Sequence, residues 1–136
     1  NLSGSETSQE LLESLFSTGA EMMEKVVQKI DNGFPIESKP QDHNLESWSL
    51  HIEKSDGKID LSNPPKKEEL LRKIRAYFPW PGVHLNASLN GKNKILKLMP
   101  YDMVQVEGKL PMSYKDFTNG YGNDAISILQ KLSLLP

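Results

Sequence analysis

The 136-residue chain contains no cysteine. That excludes a disulfide framework, a thiolate zinc site and a cysteine nucleophile. No apolar run approaches the ~20 residues that span a bilayer, and no membrane partner is expected. The first residues are polar, so no secretory signal is predicted. Catalytic signatures are also missing. His43, His51 and His84 lack metal-ligand spacing, so no metal is expected. There is no Gly-rich phosphate loop and no G-x-S-x-G elbow. Asp56 and Asp60 form an ordinary carboxylate pair. Asn1-Leu2-Ser3 and Asn86-Ala87-Ser88 match the glycosylation acceptor pattern, but without a secretory signal they read as chance.

What is present is one domain's worth of chain with a mean hydropathy of −0.52, enough for a modest core. The formal net charge is only −2. Its distribution is more informative. Residues 1–60 carry five basic and twelve acidic side chains, net −7, whereas residues 61–136 carry eleven and six, net +5. An acidic front beside a basic back is a pointer to a polyanion-binding segment.

Leu11, Leu12, Leu15, Phe16, Ala20, Met22, Met23, Val26, Val27 and Ile30 recur at three- and four-residue steps. This spacing predicts a helix over 8–30, with Thr7 and Glu10 as a capping box and Asn32-Gly33 as its end. The two methionines read as core filler. Residues 34–50, with Pro35 and Pro40 and no periodicity, read as a linker, and Trp48 as an anchor pinning it to a neighbouring surface. A second helix is expected from Ser62 or Asn63, with Pro64 in its first turn, to Phe78. Its buried stripe is Leu70, Leu71, Ile74 and Phe78. Pro79-Trp80-Pro81-Gly82 makes a rigid aromatic corner, expected to pack that helix onto the domain.

Val83, Leu85, Ala87 and Leu89 alternate with His84, Asn86 and Ser88, and Asn90-Gly91 follows. That is a strand and a type I′ hairpin turn. Return strands are expected near 94–99 and 103–106. Met112–Gly120 reads as helical with Ser113 as cap, and Asp124 as the cap of a last short helix. The residues alone therefore support a helix, a linker and a small basic α+β or β-barrel domain.

Five segments add a resemblance. Ile74-Arg75-Ala76-Tyr77-Phe78-Pro79-Trp80-Pro81-Gly82 resembles the IRAFNPWPG signature of the methionyl-tRNA formyltransferase family. Asp56-Gly57-Lys58-Ile59-Asp60 resembles its DGRIDW segment. Gln105-Val106-Glu107-Gly108-Lys109-Leu110-Pro111-Met112-Ser113 resembles QPEGKKPMS, with Asp116-Phe117 and Gly120 following as in the family. Pro40-Gln41-Asp42 and the helix around Leu15–Ala20 match in order as well. The stretch from Gly91 to Gln105 is shorter than in the family, which predicts a shortened barrel.

The resemblance implies an α+β fold: a long N-terminal helix and linker, then a small, shortened OB-like β-barrel with flanking helices. Residues 1–33 correspond to the end of a catalytic domain, 34–60 to a linker, 61–120 to a tRNA-binding domain and 121–136 to a tail helix. It implies a transferase of translation initiation, in the cytoplasm, that moves a formyl group from 10-formyltetrahydrofolate to initiator methionyl-tRNA. The family's catalytic Asn, His and Asp belong to an upstream catalytic domain and map to no residue here. This chain is thus expected to be inactive alone, with tRNA and that domain as partners. The candidate tRNA contacts are Arg75, Lys92, Lys94, Lys97, Lys109 and Lys115, with Lys66, Lys67, Arg72 and Lys73 as second choices. Two other readings share these features: the end of a sugar-nucleotide formyltransferase, and a stand-alone RNA-binding or interaction module.

Overall fold

The computed structural model of the chain describes residues 2–135, so Asn1 of the first acceptor pattern and Pro136 lie outside the described residues. The chain forms two compact units, one of residues 1–9 and 52–136, the other of Glu10–His51.

The second unit is mostly helix α1 (Ser8–Asp31). Its end follows the expected chemistry: Gly33 takes φ +73°, and the Phe34 N–H reaches back to Lys29 O at 2.9 Å. No residue of α1 is buried. Met22 and Met23 are 62% and 64% exposed in this chain. The segment after α1 carries a 3-10 turn, His43–Leu45, capped by the Asp42 carboxylate, and a second one, Lys54–Gly57, follows in the first unit. Trp48 is 89% exposed.

The first unit holds the core. Strands β1 (Val83–Leu89), β2 (Lys92–Met99), β3 (Met103–Val106) and β4 (Met112–Ser113) form an antiparallel sheet in chain order. Asn90 and Gly91 adopt φ of 50° and 73°, so β2 starts two residues earlier than expected, with Leu89 opposite Lys92. A single parallel bridge, Lys58 with His84, extends the sheet beyond β1. There the Ile59 N–H donates to His84 O at 2.8 Å. The sheet remains open, and with its flanking helices it fits the expected α+β, shortened OB-like architecture.

Helix α2 (Lys67–Ala76) is shorter than the spacing suggested. Pro65 disfavours helical backbone at Pro64, so the helix cannot start there. Instead the Asp60 carboxylate accepts the Ser62 hydroxyl and N–H at 2.7 and 2.9 Å, which closes a turn. These bonds from Ser62, hydroxyl first, hold the Asp60 carboxyl below its ordinary range. Leu70 and Ile74 of α2 are buried, whereas Leu71 and Phe78 are only half-buried.

Helix α3 (Tyr114–Lys131) merges the two helical stretches expected near 112–120 and 124–132, except that Met112 and Ser113 pair with β3 as strand β4 instead of starting the helix. The two stretches are joined through a kink at Gly122 (φ 55°, ψ −131°). Ser113 caps it as expected, its Oγ accepting the Asp116 N–H at 3.1 Å. Asp124 has a different part. Its carboxylate accepts the Asn90 N–H at 2.8 Å and ties the hairpin tip to α3.

One hydrophobic cluster joins these elements. Val83, Leu85, Leu96, Leu98, Val104 and Val106 of the sheet meet Leu70 and Ile74 of α2 and Phe117 and Leu129 of α3. Burial of each large side chain contributes roughly 1.5–3 kcal/mol.

Candidate nucleic-acid interface

Strand alternation decides where the cations go. Leu85, Ala87, Leu89, Leu96 and Leu98 face the core. Lys92 stands opposite Leu89, and Lys94 opposite Ala87, so both share the core-facing side, out at the hairpin end. Lys92 is exposed there and Lys94 half-buried. Lys97 has the other parity. It stands opposite His84 and Gln105, on the face away from the core. The three hairpin lysines therefore serve two faces.

Lys97 is held in place. Its ammonium donates to Pro79 O at 3.3 Å. Its stem crosses Gly82 so closely that a Cβ there would sit 2.4 Å from Lys97 Cε. Gly82 is required by its backbone angle, φ +74°, whereas the lysine end above it could swing aside. The corner is tied at two more points. His84 Nδ1 lies 3.1 Å from Gly82 O, and the Gly82 N–H donates to Tyr77 O at 2.8 Å. Tyr77 packs against the core, whereas Trp80 remains 59% exposed. The packing expected of the corner is thus made by buried Pro81 and by the neighbouring Tyr77, not by Trp80.

The remaining candidates are spread around the unit. Arg75, half-buried, lines a groove of about 270 Å³ with Leu71, Ile74, Tyr101 and Asp102. Lys109 is exposed in the turn after β3, where Gly108 takes φ +77° and the Lys109 N–H closes on Val106 O at 2.9 Å. Lys115 is exposed in the first turn of α3. Of the second choices, Lys66 and Lys73 share a groove of about 440 Å³ with Lys58, Asp60 and Glu69.

Charge alone did not single out the polar side chains of the outward sheet face. Asn86, Ser88, Asn93, Ile95 and Glu107 line a groove of about 340 Å³, whose rim Ala87 and Lys94 of the opposite parity complete. The Ile95 N–H donates to Glu107 Oε2 at 3.3 Å. Their signal in the sequence was the alternation itself. Among the described residues, no group of three or more His, Cys, Asp or Glu could hold a metal ion. Among them too, no helix is long and apolar enough to cross a membrane.

Fold and surface together define a small α+β domain with a shortened OB-like sheet and basic side chains on several of its faces. No protein-family model matches the chain. Individual relatives do. The methionyl-tRNA formyltransferase of Koribacter versatilis (strain Ellin345) is 28% identical over 94% of this chain and 49% of its own length. That of Campylobacter fetus subsp. fetus is 33% identical over 78% of the chain and 43% of its own length. That of Sulfurihydrogenibium sp. (strain YO3AOP1) is 44% identical over 52% of the chain and 22% of its own length. The chain is related to methionyl-tRNA formyltransferases, and it spans at most about half the length of these relatives, as a C-terminal portion would. Their names favour this reading over the sugar-nucleotide alternative.

Proposed function

We propose that the chain is the tRNA-holding C-terminal part of a methionyl-tRNA formyltransferase. The whole enzyme transfers a formyl group from 10-formyltetrahydrofolate to the amino group of initiator methionyl-tRNA, in the cytoplasm. The observation that carries the reading is the coincidence of this partial relatedness with the +5 back half of the chain. Residues 1–33 end the catalytic domain, 34–60 link, 61–120 hold tRNA and 121–136 form the tail.

The division of labour is physical. A tRNA acceptor arm is lined with phosphates, and each Lys or Arg contact releases condensed counterions. Holding the aminoacyl end near a catalytic domain converts a loose encounter into a positioned one. Arg75, Lys92, Lys94, Lys97, Lys109 and Lys115 supply these contacts, and recognition is mainly of shape and backbone. Because Lys92 and Lys94 occupy a different face from Lys97, the RNA reaches around the hairpin from its tip to its base instead of lying on one plane.

Fluorescence anisotropy of labelled initiator tRNA, titrated with the chain across a salt series, tests this. With six phosphate contacts, log K falls against log salt with a slope of about −4 to −5. Replacing Lys92 and Lys94 by Ala reduces that slope by about 2. Binding that is salt-independent, or absent at low salt, refutes the proposal. The purified chain transfers no formyl group, and measured turnover would overturn the domain assignment.

A further inference from the structure

The Pro79–Gly82 corner carries a large aromatic ring that the core does not use. Trp80 is 59% exposed, yet the backbone around it is tied down by Lys97 on Pro79 O, His84 beside Gly82 O, and Gly82 N–H on Tyr77 O. An aromatic face held on such a corner loses little freedom when a flat partner settles on it. The corner itself is polar and basic: Lys97 reaches Pro79 O and His84 lies beside Gly82 O, while Asn86 and Ser88, with Ile95 opposite Asn86 on the partner strand, continue the sheet face of His84. A nucleotide finds a π-face for its base and an ammonium for its phosphate.

We propose that Trp80 is a stacking platform for an unpaired RNA base, beside the phosphate contact of Lys97. This deepens the tRNA-holding reading and rests on it. It gives the chain one contact that separates unpaired nucleotides from duplex, which phosphate contacts alone do not.

The test uses the whole chain and two RNA hairpins, one with a four-nucleotide unpaired 3′ tail and one blunt. The chain has two tryptophans, so Trp48→Phe leaves Trp80 as the only indole reporter. Both hairpins are expected to bind at low salt. The tailed one binds at least about fivefold tighter and quenches Trp80 fluorescence. Trp80→Ala removes the tail preference without weakening the blunt hairpin, and Trp80→Phe retains part of it. Circular dichroism checks that the variants fold, and quenching in the Trp48→Phe chain decides the matter if Trp80→Ala does not fold. Equal affinity for both hairpins with no tail-dependent quenching overturns the stacking site and leaves tRNA holding intact. Binding of neither hairpin at low salt overturns tRNA holding itself, and the stacking site with it.

Discussion

Replacing Gly57 by Ala tests how the segment before α2 is joined to the sheet. Gly57 is buried, and a Cβ at this position would sit 2.0 Å from Gly82 O and 3.0 Å from Gly82 C. Real Cβ contacts essentially never fall below 3.0 Å, so the two backbones must part by about 1 Å. Neither obstacle is a side chain that could rotate away. The bond from Ile59 N–H to His84 O, now 2.8 Å, would stretch well past hydrogen-bond range. Overpacking costs about 1–3 kcal/mol and the lost bond about 0.5–1.5 kcal/mol, together roughly 2–4 kcal/mol. For a unit of this size the thermal midpoint should drop by roughly 10–25 °C. Thermal unfolding followed by circular dichroism measures it. Gly120→Ala is the control, since a Cβ there meets nothing within 4 Å and no positive φ is required. It should be neutral or stabilising by up to about 1 kcal/mol. A Gly57→Ala midpoint within a few degrees of the parent refutes the close-approach argument.

Three further outcomes are expected. Asp124→Ala frees the Asn90 N–H at the hairpin tip, and urea unfolding should show a loss of about 1 kcal/mol. Ser113→Ala removes the cap of α3 and should cost about 0.5–2 kcal/mol by the same measurement. Burial, and then the Asp102 charge, pushes the Tyr114 hydroxyl up from 10 to about 12. The folded state binds this proton more tightly than the unfolded one, so the contribution is complete below pH 10 and is lost as pH rises through about 12. Tyr114→Phe should flatten that alkaline decline in a pH series of urea midpoints.

Much of the fold was readable in the sequence because local signals agreed with one another. Period-two alternation from Val83 to Leu89 and the Asn90-Gly91 pair both called for a hairpin, and the hairpin is there. The start of α2 was harder. Pro64 alone resembles a first-turn proline, and only its neighbour Pro65 forbids it. The flanking prolines alone do not say which way Trp80 points: Tyr77 and Pro81 meet the core while Trp80 stays 59% exposed. The candidate cations were gathered by charge, which carries no parity. The face of each lysine needed the strand register, since a shift of one residue reverses it.

The absence of any buried residue in α1 bears on how its amides exchange with solvent. Sheet and α3 amides are shielded by a shared core and open only when that core opens. Those of α1 are protected by little beyond their own helical bonds, so each exchanges at a rate set by local helix–coil opening. Deuterium uptake should therefore run on two separate clocks within one chain. Any surface that settles on the Leu12–Met23 stripe would announce itself by slowing the faster one.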